Sequence, residues 1–296
     1  MDIRNIKTFL RVAELESFTK AAMGMNYVQS TVTMQIQQME RELGFPLFDR
    51  IGKKISLTPM GKELLPYANE MLHIMQQVGA LGKSSKEISG TLKVGVLESL
   101  LFSTMVEVLP KYKDQYRNID IQLKQGQMAD LLLLLKQNQL DMIYISGNLN
   151  MDPDLFCCYK RQERLIFVAS PRHELAQKQH VPLSELLSYS LIVTEQSGFC
   201  YNRLNELATA HNLELCYSLV VDSTIVIGEL ISKDMGISFL PEYSISQQIQ
   251  RGNLVKIDID IDPLIYYSQI LYHKSKWIAP FMGSMISLIK ESRPER

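Results

Sequence analysis

Residues 26–44, NYVQSTVTMQIQQMERELG, constrain the first part of this chain more tightly than any other stretch. Val32, Ile36, Met39 and Leu43 recur at the i, i+4, i+7, i+11 spacing of a buried helical stripe, which needs a partner surface to cover it. Gly44 supplies a residue that tolerates the turn after a helix, and Pro46 forbids continuation, so the helix has a defined end. Its other face carries Gln29, Ser30, Thr33, Gln37 and Gln38. These side chains both donate and accept hydrogen bonds, where a merely solvated face usually carries Lys and Glu.

Two helices are expected before it. Residues 3–16 place Ile6, Phe9, Leu10 and Ala13 on one face, and Ser17 reads as the N-cap of a second helix, FTKAAMGM. Asn26 and Tyr27 supply the turn into the third. A short helix, a tight turn and a longer helix form a helix-turn-helix pattern, and Ala21–Ala22 are small enough to let the helices cross closely. LFDRIGKKISLT follows, two strand-like pieces around Gly52 with Lys53 and Lys54 at the tip of a β-wing. A helix laid in the major groove must match base edges that present donors and acceptors, and Gln, Ser and Thr do so without the indiscriminate phosphate attraction of Lys. The alternative is a solvated helix in a small helical domain. Charge leans mildly toward the first reading: residues 1–62 hold nine Lys/Arg against six Asp/Glu, in a chain whose net charge is −1.

The run from Met1 to Gly61 resembles the N-terminal winged helix-turn-helix of the LysR-type transcriptional regulators. The likeness is carried by Phe9, Ser17-Phe18-Thr19, Ala21-Ala22, Gln29, Ile36, Glu40, Leu43-Gly44, Leu47-Phe48, Arg50, Leu57-Thr58 and Gly61. It implies base-reading roles for Gln29, Ser30, Thr31 and Thr33, and phosphate contacts for Arg50, Lys53 and Lys54. Ser30 and Thr31 have an alternative role in satisfying free N–H groups at the helix start, and Glu40 and Phe48 are read as structural. Met34, Gln37 and Gln38 stand where the family usually has basic residues, which predicts a shallow salt dependence.

Thr58 and Pro59 form an N-cap and an N1 proline. The helix they open repeats Leu64, Ala68, Met71, Met75 and Val78 at intervals of 4, 3, 4 and 3, the seam of a coiled coil. The expected partner is a second copy; packing on the chain's own second domain is the alternative. Two recognition helices about one DNA turn apart, as a dyad operator requires, favour the dimer. Gly82 and KSSKEISG then read as a hinge.

From Thr91 strands and helices alternate: TLKVGVL, LFSTMVEVLPKYKDQY, IDIQLK, MADLLLLLKQN, LDMIYIS, and again from RLIFVAS through SLIVTEQ, residues 215–222 and MGISFLP to LIYYSQILYHK and a helix over 279–290. Such βαβ alternation predicts a parallel sheet with helices on both faces. The fold class expected is therefore α/β with an N-terminal all-α winged helix-turn-helix. The second part resembles the two-lobed effector domain of the same family, which has the fold of periplasmic solute-binding proteins. The division expected is 1–58 for DNA binding, 59–89 for the linker helix and hinge, and 90–296 for the effector domain, with lobe I over 91–163 plus 268–296 and lobe II over 164–267. By resemblance, effector contacts fall on Glu98 and Ser99; on Gln125 to Gln127; and on Thr194, Gln196, Ser197, Gly198 and Phe199. A carboxylate at Glu98 would repel an acid and leans toward a neutral or cationic effector, or one held mainly by the second lobe; an exposed helix N-cap with no ligand role is the alternative.

Cys200 lies at the start of a predicted helix, whose dipole can lower a thiol pKa; it is read as a small buried or pocket-lining thiol, with a redox switch as the alternative role. Peroxide-sensing relatives place a second cysteine a few residues on; here the next is Cys216. The five histidines are scattered, with no H-x-x-H or H-E-x-x-H spacing, and no nucleotide or hydrolase motif appears, so neither metal, cofactor nor enzyme activity is expected. The opening residues lack an apolar signal region and LLLLL at 131–135 is too short to span a bilayer, so a cytoplasmic location is expected. The partners expected are double-stranded DNA, a small-molecule effector, a second copy and a further dimer in a tetramer, and RNA polymerase if the protein activates. An effector-independent DNA binder remains the alternative.

Overall fold

The computed structural model describes residues 2–51, 54–80, 88–196, 198–261, 264–276 and 278–293, with the side chains of 50, 51, 54, 73, 76, 77, 79 and 80 outside the description. Lys53, Ser197 and the expected hinge over 81–87 therefore lie outside the described residues, as do the side chains of Arg50 and Lys54.

Asp2 caps α1 (Ile3–Leu15) by accepting from Arg4 N, and Glu16 ends the helix at φ 47°. Ser17 does cap α2 (Phe18–Gly24), and Asn26 makes the turn at φ 55°. Helix α3 (Gln29–Leu43) ends where Gly44, at φ 83°, donates to Glu40 O. Ile6, Phe9, Val12, Ala21, Val32, Ile36 and Met39 are buried together. Phe48 packs against Phe9 and Phe18 at ring-centroid distances of 5.5 and 5.7 Å. Strands β1 (Phe48–Ile51) and β2 (Lys54–Leu57) pair antiparallel as the wing. Glu40 fastens it: one carboxylate oxygen accepts from Leu47 N at 2.8 Å and Phe48 N at 3.4 Å. Thr58 Oγ1 accepts from Gly61 N at 3.0 Å and donates to Pro46 O at 2.8 Å, which starts α4 (Pro59–Ala80) against the wing.

The stripe expected along α4 divides. Ala68 is 1% exposed and packs into the winged domain's own core with Leu64 beside it, while Met71, Met75 and Val78 are exposed. Ala68 is thus corrected from a partner-facing to an inward position: the first turns of α4 lie on the domain they leave. The open heptad-spaced face runs instead through Met60, Tyr67, Met71, Ile74 and Val78, with Leu64 half-buried on the same line.

The remaining elements build one mixed sheet. They are β3 (Gly90–Val96), α5 (Glu98–Leu100), a π turn (Leu101–Met105) leading into α6 (Val106–Gln115), β4 (Ile119–Gln125), α7 (Met128–Lys136), β5 (Met142–Gly147), β6 (Leu155–Ala169), a 3-10 turn (Glu174–Gln177), α8 (Leu183–Leu186), β7 (Leu191–Val193), α9 (Phe199–Ala210), β8 (Tyr217–Val220), α10 (Thr224–Ser232), β9 (Ile237–Pro241), α11 (Glu242–Gln250), β10 (Val255–Lys256), β11 (Leu264–His273) and α12 (Pro280–Ser292). Strand order is β4-β3-β5-β11-β6-β9-β7-β8, with β10 on β6. Pairing is parallel within β4-β3-β5 and β9-β7-β8, as the βαβ alternation predicts. The two parallel halves are joined by β6 and β11, long strands antiparallel to each other and to their neighbours β5 and β9. The sheet is therefore mixed, where a parallel one was expected. The expected lobe boundaries, 163/164 and 267/268, fall inside these two strands.

Candidate functional site

Two surfaces carry the residues singled out by sequence. On α3, Gln29 and Ser30 are exposed and Thr31 and Thr33 are half-buried. Val28 occupies the N-cap position with no side-chain cap bond, so Ser30 and Thr31 are not engaged in helix-start capping. Thr33 Oγ1 donates to Gln29 O at 3.0 Å, which turns its lone pairs outward as an acceptor. Gln29 Oε1 accepts from Thr19 Oγ1 at 3.0 Å, leaving the amide N–H groups free to donate. Thr19, which sets the orientation of Gln29, was visible only as part of the Ser17-Phe18-Thr19 resemblance. Met34 projects from the same helix, 57% exposed, an apolar group of the kind that contacts a thymine methyl.

The second surface is a cleft of about 310 Å³ at the carboxyl ends of the parallel strands, where ligands of such sheets sit. It brings together Glu98 and Ser99 after β3, Gln125, Gly126 and Gln127 after β4, and Thr194, Gly198 and Phe199 after β7. Gln196 does not line it; its amide is directed to the Tyr217 hydroxyl. Ser146, Glu195, Cys200, Asp222, Ser223, Thr224 and Tyr266 also line the cleft and were not among the expected contacts. Asp222 and Ser223 sit in the short loop before α10, a strand-to-helix position that could have been weighed as the loop after β7 was.

Hydrogen bonds tie the two sides together. Ser223 Oγ donates to Glu98 Oε1 at 2.8 Å across 125 residues of sequence, and Gln127 Nε2 donates to Glu195 Oε2. Below the cleft, the Tyr243 hydroxyl bonds Ser99 Oγ at 2.9 Å and Ser146 Oγ at 3.0 Å. Burial pushes the Tyr243 phenol well above its ordinary pKa, so it stays neutral. The Arg293 guanidinium lies 4.5 Å from the Tyr243 ring centroid and donates to both Glu163 oxygens, at 2.8 and 2.9 Å. Ser268 Oγ donates to Glu163 at 2.7 Å, so this buried charge is paired and hydrogen-bonded. The cleft floor is thereby fixed to the chain's C-terminal end and to both long strands. Among the described residues, Thr194 Oγ1 and Thr224 Oγ1 are buried without a hydrogen-bond partner.

Cys200 is the second residue of α9, but the dipole does not govern its thiol: burial pushes the pKa up to about 12. It is a desolvated thiol lining the cleft, in line with the favoured reading of a buried or pocket-lining thiol.

Residues 3–62 match the family described as "Bacterial regulatory helix-turn-helix protein, lysR family", and residues 85–294 match the "LysR substrate binding domain". The uncharacterized HTH-type transcriptional regulator YwqM of Bacillus subtilis is 28% identical over 295 residues, covering 99% of both chains. Full-length OxyR from Pseudomonas aeruginosa superposes with a TM-score of 0.77 at 18% identity, over 99% of this chain and 96% of that one. Full-length CbnR in complex with its target DNA gives 0.63 at 19% identity, over 99% and 100%.

Proposed function

The chain belongs to the LysR family of bacterial transcriptional regulators, and from that premise we propose that α3 reads a dyad operator and that the cleft described above holds a small-molecule effector. The chain is a DNA-binding regulator with a helix-turn-helix and an effector-binding domain; its relatives are regulators and not enzymes. No helix among the described residues is long and apolar enough to cross a membrane.

The observation that carries the effector reading is convergence. Residues 98–99, 125–127, 194–195, 198–199 and 222–224 meet in one cleft and bond across it. A ligand seated there contacts both halves of the sheet, so it binds one relative arrangement more tightly than another and shifts the population toward it. Through α4 that shift respaces two DNA-binding heads. The dimer is supported by the open face of α4, and a tetramer of two dimers is the assembly a pair of dyads would require. Arg50, Lys53 and Lys54 anchor the wing to phosphate, and Gln29, Ser30, Thr31 and Thr33 read bases.

The redox alternative through Cys200 loses its chemical basis, because a thiol with a pKa near 12 is a poor nucleophile at neutral pH. The test of the main reading is fluorescence anisotropy of the full-length chain on the DNA upstream of its own coding sequence and on a scrambled duplex, across a salt series. Preference for the native fragment, lost in Gln29→Ala, supports a base-reading regulator. Equal weak binding to both duplexes refutes it.

A further inference from the structure

We propose that the effector is a small organic cation, an amine or a quaternary ammonium compound. This rests on the reading of the cleft as the effector site. The cleft is lined by three carboxylates, Glu98, Glu195 and Asp222, and by no Lys, Arg or His. Among the described residues none of the three is in an ion pair, so their charges face the space they enclose. Glu98 and Glu195 each receive one neutral hydrogen bond, which orients a carboxylate without cancelling it.

The opposing influence is the helix dipole. The N-terminal caps of α5, α7, α9, α10 and α11, Leu97, Gln127, Gly198, Ser223 and Pro241, all line the same space. Each such terminus is equivalent to about half a positive charge, so five of them offset most of three full carboxylates, and the balance is only slightly negative. An anion entering here adds like charge, whereas a cation is attracted to the carboxylates and a protonated amine also supplies donors that their oxygens accept. A second feature points the same way. Half-buried Phe199 lines the cleft with buried Tyr266 packed against it at a ring-centroid distance of 5.2 Å, and an aromatic face attracts ammonium groups. Carboxylates beside aromatic rings are what a positively charged, partly apolar molecule requires. The buried, unpartnered hydroxyls of Thr194 and Thr224 add an acceptor for its N–H or O–H groups.

Calorimetric titration of the full-length protein tests this with two length-matched probe sets and choline: putrescine and cadaverine as diamines, succinate and glutarate as dicarboxylates. At least one cationic probe is expected to bind with a Kd below about 1 mM, with no heat from either dicarboxylate. Glu98→Gln and Asp222→Asn, both near-isosteric, are each expected to weaken that binding at least tenfold, and their thermal melts report whether they fold. A dicarboxylate that binds, and binds more tightly in Glu98→Gln, overturns the cation assignment while leaving the cleft as the effector site. A cation whose affinity neither substitution changes overturns the cleft reading itself. No binding by any cationic probe up to about 10 mM also rejects the proposal.

Discussion

One end of the Gln29 amide is already engaged before the proposed contact with DNA. Because Oε1 accepts from Thr19, the group left for a base edge is the donor Nε2, and Thr33 beside it offers an acceptor. Gln29→Ala is expected to cost roughly 1–3 kcal/mol on the operator and little on random DNA. Thr19→Val releases Oε1, so it is expected to change which base is tolerated opposite Gln29 more than it changes overall affinity. Anisotropy on a set of single-base operator variants separates the two; a uniform loss across all duplexes in Gln29→Ala would make it a phosphate anchor. Cys200 provides a second check at this scale. With a pKa of about 12, about one thiol in 10⁵ is ionised at pH 7, and the fraction rises tenfold per pH unit toward that pKa. Iodoacetamide at neutral pH is therefore expected to label exposed Cys216 and leave Cys200 intact, with labelling of Cys200 growing as pH rises. Fast modification of Cys200 at pH 7, read by peptide mass, restores the redox reading.

The joint between α3, the wing and α4 is the element on which the DNA-binding geometry turns. A Cβ added at Gly61 lies 2.2 Å from Leu47 O, a backbone atom that cannot swing aside. Gly61→Ala is expected to destabilise the winged domain by about 1–3 kcal/mol, visible as a lower melting temperature. A wild-type melt for that variant would mean α4 shifts freely against the wing. This joint was legible in sequence: Thr58-Pro59, Gly44 and Pro46 are local punctuation, and Glu40 was read as structural before its bonds to Leu47 N and Phe48 N were known. Strand β6 was legible only from Arg164 onward. Its first half carries Lys160, Arg161, Gln162 and Glu163, which reads as a solvated loop. Glu163 is nonetheless buried, its charge paired with Arg293 130 residues away, a compensation no local pattern announces. The cleft divides in the same manner. Glu98, Gln127 and Thr194 follow strands whose type was clear, whereas Asp222 and Tyr266 enter from a short edge strand and from β11, whose antiparallel course depends on distant pairing.

On the scale of the whole molecule, the decisive question is how a modestly charged domain holds DNA. Nine cations against six anions over residues 1–62, and a recognition helix bearing Gln37 and Gln38 rather than Lys, leave few phosphate contacts. Each contact adds about 0.9 to the salt slope, so one domain alone is expected to bind weakly and with a shallow slope. Doubling the contacts through a second copy is the available remedy, and α4 carries the surface for it: Tyr67, Met71, Ile74 and Val78 are 58%, 39%, 49% and 59% exposed at heptad spacing. These side chains contribute little to the protomer's own core, so charging them is expected to break association without unfolding the chain. Met71→Lys combined with Val78→Lys is expected to move the species seen by sedimentation velocity to the monomer, to leave the thermal melt of the winged domain nearly unchanged, and to reduce operator affinity at least tenfold while half-site binding persists. Should the double variant remain dimeric, the contact lies in the effector domains instead. The route by which a ligand in the cleft respaces the DNA-binding heads would then run through the effector-domain contact and not through a paired α4.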